Sequence, residues 1–198
     1  MYLFGASGHG KVVADIAIEN GIEITAFIDH DMNKTECYGF PVIHKISDEK
    51  KALVITIGDN AIRKTIAEEA VNKIIKLIHP RSIISKTVKI GKGTVVMGGV
   101  TINSSSIIGE HCIINTNSSI DHECCIENFV HISPNVALAG NVYIGEGSHI
   151  GIGATLIQNV KIGKWCIIGA GAVILKDVPD YSVVVGNPGK IIKNINNS

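Results

Sequence analysis

Asp121-His122-Glu123 sets an imidazole between two carboxylates. A carboxylate beside a histidine can fix its tautomer and raise its basicity, as a general base for an attacking amine or hydroxyl requires. The same three residues also fit a solvated surface patch. Eighteen residues on, Ala139-Gly140-Asn141 offers a backbone N–H that no side chain screens. Such an amide suits an oxyanion formed when a carbonyl is attacked, although a simple turn glycine fits as well. Near the N-terminus, Gly5-Ala6-Ser7-Gly8-His9-Gly10 spaces its glycines as GxxGxG. That is neither the GxGxxG dinucleotide fingerprint nor a Walker A loop, and it argues against a dehydrogenase. Between a strand and a helix, such a loop still turns N–H groups toward a phosphate. Asp29, at the end of the next strand, is placed for ribose or base edges.

Other groups are weaker. His131 and His149 are eighteen apart but lack a carboxylate neighbour, so no metal site is expected. Cys125 follows the Asp-His-Glu segment, yet no partner would lower its pKa, so a nucleophilic role is not expected. The five cysteines (37, 112, 124, 125 and 166) show no CxxC spacing, which fits a reduced protein without structural zinc.

Two kinds of element must position these groups. Over residues 1–80 the pattern alternates strand and helix. Tyr2-Leu3-Phe4 runs into the glycine loop, a helix follows from Lys11 to about Asn20, and Gly21 ends it. Ile24–Ile28 and Leu53–Ile57 read as strands, residues 61–72 as a helix, and Lys76-Leu77-Ile78 as a last strand. This order predicts a small, parallel, Rossmann-like sheet. From Ile84 to Ile174 an aliphatic residue recurs every six positions, sixteen times without a skip, and a small or β-branched residue follows each by four. A hexapeptide period predicts a parallel β-helix with three hexads per coil, so residues eighteen apart stack. Sixteen hexads give a little over five coils, roughly 25 Å tall. His122 then faces outward with Gly140 one coil above, while Cys112, Cys124 and Cys166 face inward.

With 18 Lys+Arg against 18 Asp+Glu the chain is formally neutral, which argues against nucleic acid as partner. Hydrophobic residues at 45% and charged residues at 18% exclude disorder. Apolar runs break well before 18 residues, so no membrane span is expected. The opening MYLFGASGHG lacks a basic n-region, so a cytoplasmic location is expected.

The repeat over 84–178, with Val185-Gly-Asn-Pro-Gly-Lys190, resembles the left-handed β-helix acyltransferases, whose C-terminal segment takes coenzyme A. Together with Gly5–Gly10, Asp29, Gly58-Asp-Asn-Ala-Ile-Arg63 and Asp121-His122-Glu123, the chain resembles the PglD/NeuD-type sugar acetyltransferases along its whole length. The resemblance implies a nucleotide-sugar domain over 1–80 and an acetyltransferase β-helix over 81–198. It implies His122 as general base, Glu123 as its polarising partner, and Gly140 near the thioester oxygen. Ser7, Gly8, His9, Asp29, His30, Gly58 and Asn115 would meet the nucleotide sugar; family members often carry Asp where His30 stands. His131, Ile152, Gly169, Ala170 and Lys190 would meet acetyl-CoA, the co-substrate. The expected reaction is N-acetylation of a nucleotide-linked 4-amino-4,6-dideoxy sugar. O-acetylation of sialic acid or another sugar hydroxyl uses the same chemistry, and a non-catalytic assembly module is the reading of another class. The loop-free repeat, whose flat sides the family packs around a threefold axis, predicts a homotrimer with sites between subunits.

Overall fold

The structure, a computed structural model, describes residues 1–46 and 48–195. Strands β1 (Tyr2–Phe4), β2 (Ala26–Ile28), β3 (Glu36–Cys37), β4 (Phe40–Ile43) and β5 (Leu53–Ile55) form one sheet in the order β3-β4-β2-β1-β5. All neighbours run parallel except β3, which forms a hairpin with β4. Helices α1 (Gly8–Glu19) and α2 (Asn60–Glu69) complete the unit. Leu3, Val13, Ile16, Ala17, Phe27 and Val54 are fully buried between α1 and the sheet. The GxxGxG spacing has a packing reason at one position. A Cβ on Gly10 would run into the Gly5 carbonyl, so the first turn of α1 can lie against the end of β1 only with glycine there.

The rest is the parallel β-helix that the hexad period predicted, left-handed as the family resemblance implied. Seventeen two-residue strands from Leu77–Ile78 to Val173–Ile174, three per coil, make a little under six coils. Each strand pairs with the one eighteen residues away, as in Thr101↔Ser119, Ile107↔Cys125 and Ile113↔His131. The hexad aliphatics and the small residues between them fill one continuous core from Val96 to Val184. The last coil is covered by Ser182–Val185 and Lys190–Asn194, paired as an antiparallel hairpin.

Leu77–Ile78 departs from expectation. It pairs with Val95–Val96 and opens the solenoid, whereas the sequence reading placed it last in the N-terminal sheet. Just before it, Ile74 bridges to Leu53, with Lys73 and Ile75 making the backbone hydrogen bonds. The reason lies in register: Ile78 stands six residues before Ile84 and continues the inward hexad position.

The triangular solenoid has three faces and three edges. The eight-stranded face carries the N-terminal unit, because Val95, Met97 and Ile113 share one core with Leu3, Val13 and Phe27. The edge formed by turns 103–106, 121–124 and 139–142 lies between the other two faces, on the opposite side of the prism.

Candidate active site

His122 and Glu123 sit on that far edge, in one solenoid turn. Each such turn imposes a left-handed backbone residue: φ is +64° at Ser105, +61° at Glu123, +57° at Asn141 and +65° at Asn159. A glutamate in a slot its neighbours fill with Ser and Asn costs about 1 kcal/mol of backbone energy. What it gains is aim. Glu123 Oε2 lies 3.1 Å from His122 Nδ1, and both side chains are more than half exposed. With Nδ1–H donating to the carboxylate, Nε2 keeps its lone pair free to take a proton. Asp121 does not contact the ring. Its Oδ1 accepts the His122 backbone N–H at 2.8 Å and the Asn103 side-chain amide at 2.8 Å, which fixes the turn.

Gly140 stacks on the His122 ring as the eighteen-residue period requires. A Cβ there would stand 2.6 Å from both Cε1 and Nε2. Only glycine lets the imidazole lie flat against the next coil. Cys125 is half-buried on an adjoining face in register with Tyr143, and burial raises its thiol pKa, so it is not activated.

The remaining candidates gather on the other side. Asn115, Ser133, Gly151 and Gly169 form one column, with Ile152 and Ala170 beside it on the same edge. Asn115 Nδ2 lies 3.3 Å from His131 Nε2, and Ser133 Oγ lies 2.8 Å from His149 Nε2. The His131 and His149 rings stack in parallel, 4.6 Å apart. Burial pushes the His131 pKa down to about 3, helped by His149 and Arg63, so the pair is neutral at physiological pH. The column climbs to the terminal hairpin, where Val185, the partner of Lys190, lies against Gly169.

The glycine loop and Gly58 complete this side. Ser7 caps α1 without a side-chain hydrogen bond, and a Cβ on Gly8 would meet nothing, so both face open space. Asp29 shapes the loop from behind, accepting the Ala6 N–H at 2.9 Å, the Asp31 N–H at 3.0 Å and Lys34 Nζ at 2.8 Å. Burial opposes its ionisation, but these donors hold the carboxyl below its ordinary range. His30 is exposed and sets its ring edge-on to Phe4. His9 is half-buried near His131, and desolvation followed by Arg63 lowers its pKa to about 4.

The structure therefore brings the predicted residues together in two groups on opposite sides of one chain. His122, Glu123 and Gly140 are one group; Ser7, Gly8, His9, Gly58, Asn115, His131 and the 151–170 column are the other. Sequence reasoning missed Asn60, Arg63 and Ser133. The first two lay inside the quoted Gly58–Arg63 segment, but nothing in their spacing shows that they bond to the solenoid. Among the described residues, no cluster of His, Cys, Asp and Glu is placed to hold a metal, and no helix is long and apolar enough to cross a membrane.

The family described as the PglD N-terminal domain matches residues 1–70, and bacterial transferase hexapeptide repeats match residues 141–176. The fold superimposes on PerB from Caulobacter crescentus in complex with CoA and GDP-perosamine (TM-score 0.93, 35% identity, 97% of this chain and 96% of that one). It also superimposes on the acetyltransferase domain of PglB from Neisseria gonorrhoeae (TM-score 0.92, 40% identity, 96% and 98%). A UDP-N-acetylbacillosamine N-acetyltransferase of Bacillus subtilis is 38% identical over 110 residues, 48% of this chain and 50% of that protein. The matched segments cover half or less of the curated relatives' own length.

Proposed function

Because the chain belongs to the PglD-type, hexapeptide-repeat sugar N-acetyltransferases, we propose that it moves the acetyl group of acetyl-CoA to the amine of a nucleotide-linked amino sugar. The observation that carries this reading is the His122–Glu123 pair under a glycine, with Nε2 left free to accept a proton. The amine attacks the thioester carbonyl, His122 Nε2 takes the amine's proton, and coenzyme A leaves as the thiolate. The Gly140 N–H, one coil from the ring, is the donor for the oxyanion. Acetyl-CoA runs along the column Asn115–Ser133–Gly151–Gly169, past Ile152 and Ala170, toward Lys190. The nucleotide lies on Ser7, Gly8, His9 and Gly58, with Asp29 holding the loop and His30 at its rim. Amine transfer is favoured over hydroxyl transfer because the solved relatives carry nucleotide amino sugars or acetyl-CoA.

The two groups lie on opposite sides of one solenoid, so a complete site needs His122 from one subunit and the nucleotide domain of another. A cytoplasmic homotrimer meets that need. A panel of nucleotide amino sugars with acetyl-CoA, read as free thiol, tests the reaction. Activity only on free sugars or on hydroxyl acceptors refutes it. Mixing His122→Ala with Gly8→Val subunits tests the shared site. At acceptor concentrations where both parent variants turn over slowly, mixed trimers regain activity if sites are shared and gain none if each chain holds its own.

A further inference from the structure

On the His122 edge, backbone hydrogen bonds lace each turn to the coils beside it, and the lacing skips one amide per turn. Asp121 N–H donates to the Leu138 carbonyl at 3.0 Å, and Glu123 N–H to the Ser104 carbonyl at 3.0 Å. One coil on, Ala139 N–H donates to the Leu156 carbonyl at 3.1 Å and Asn141 N–H to the His122 carbonyl at 2.9 Å. The amides between them, those of His122 and Gly140, find no carbonyl among the described residues. A buried backbone donor needs a partner, so each must be accounted for.

The residue before His122 closes off its amide. His122 N–H donates to Asp121 Oδ1 at 2.8 Å, and Asn103 Nδ2, one coil below, holds the same oxygen at 2.8 Å. The device recurs on another edge, where Thr116 N–H donates to Asn115 Oδ1 at 2.8 Å. Gly140 instead follows Ala139, which has no acceptor, and its N–H has no partner among the described residues. The uncapped amides of Ser104 and Gln158 stand on exposed residues, where water satisfies them, whereas Gly140 is buried. A buried donor left unpaired is costly. This one stands beside the base. A Cβ on Gly140 would lie 2.6 Å from His122 Nε2, so the Gly140 nitrogen is within about 5 Å of that atom. A tetrahedral carbon whose amine gives its proton to Nε2 can turn its oxygen toward such a donor.

We infer that residue 139 is a positioning residue for the reaction: alanine there, where the coil below carries Asp121, leaves the Gly140 amide open for the thioester oxygen. The two turns share one backbone, with φ +61° at Glu123 and +57° at Asn141. An Asn at 139 would therefore close the Gly140 amide as Asp121 closes that of His122. The inference rests on the acetyl-transfer reading above and adds the residue that keeps its oxyanion donor available.

The test compares Ala139→Asn, which supplies the acceptor, with Ala139→Leu, which matches its shape without one. Ala139 is partly exposed, as is Asp121 in the coil below, so both variants should fold. Ala139→Asn should lower kcat and kcat/KM together by about 10²-fold, the cost of one oxyanion donor, with the acetyl-CoA KM held. Ala139→Leu should stay near wild type. Hydrogen exchange on protein labelled with 15N-glycine reads the amide directly, the Gly140 signal being assigned by its loss in Gly140→Ala. Protection of that amide should rise in Ala139→Asn and in no other variant. Equal rate losses in the Asn and Leu variants would mean crowding, and they overturn the proposal. An unprotected Gly140 amide in Ala139→Asn overturns it whatever the rate, and leaves the acetyl-transfer reading intact. A protected amide with unchanged kcat removes Gly140 as the oxyanion donor, and the inference falls with it. If Ala139→Asn does not fold, Ala139→Ser offers a shorter acceptor, and a loss no larger than that of Ala139→Leu refutes the proposal. A wild-type protein that releases no thiol with any nucleotide amino sugar fails the acetyl-transfer reading itself.

Discussion

Gly140→Ala places one methyl group against the His122 imidazole and nothing else. Its Cβ would stand 2.6 Å from His122 Cε1 and Nε2 and 3.3 Å from Cδ2. Carbon contacts become comfortable near about 3.5 Å, so the ring must retreat by roughly 1 Å. His122 is half exposed and can make that move, but doing so carries Nε2 off its line and loosens the bond to Glu123. A misplacement of about 1 Å in a reacting group costs about 10²-fold, or roughly 2.7 kcal/mol of transition-state stabilisation. Little core is disturbed, so a stability loss under about 1 kcal/mol should move Tm by no more than about 4 °C. The assay is single-turnover thiol release with both substrates saturating, run on wild type, Gly140→Ala, His122→Ala and the double variant. If the methyl acts through the ring, Gly140→Ala adds no further loss once His122 is alanine. Two results refute the reasoning. One is a Gly140→Ala kcat within about threefold of wild type, and the other is a further loss of about 10² when Gly140→Ala is added to His122→Ala. The second outcome would move the role of Gly140 from the ring to its own N–H.

His122→Ala itself should lower kcat about 10²–10⁴-fold with Tm unchanged, and Glu123→Gln should cost less; both are read in the same thiol assay. Gly8→Val points its side chain into open space, so Tm should hold while the acceptor KM rises and the acetyl-CoA KM does not. Gly10→Ala meets the Gly5 carbonyl and should unfold the N-terminal unit, which circular dichroism would register. Two half-buried histidines set an acid limit. His9 and His131 have folded pKa values near 4 and 3, so the unfolded chain binds more protons below the ordinary histidine value of 6.5. Stability is fully present above about pH 6.5 and falls as pH drops toward 4 and then 3. At pH 5 the loss should be about 1–2 kcal/mol for each of the two, measured by urea unfolding. An equal midpoint at pH 7.5 and pH 5 would contradict the burial of these rings.

The solenoid was legible because its information is local and repeated. Each hexad needs the same inward aliphatic and the same small residue, so sixteen independent positions report one fold, and stacking at eighteen follows by arithmetic. That arithmetic alone set Gly140 over His122. The β1–loop–α1 unit was legible for a similar reason, since glycines and helix periodicity are read within twenty residues. Other features depended on partners that leave no mark in the sequence. The hairpin of Glu36–Cys37 with Phe40–Ile43 turns on Tyr38-Gly39, and Leu77–Ile78 read as the last strand of the N-terminal sheet although it opens the solenoid. The docking of the two units was invisible, because Arg63 reaches backbone carbonyls 48 and 66 residues away, and every residue has a carbonyl. The separation of the site was decided there as well. Sequence placed His122 and the glycine loop in one list of candidates. Burying Val95, Met97 and Ile113 under the N-terminal unit committed that unit to the face opposite His122, because an apolar face must be covered and only one of the three faces carries that apolar patch.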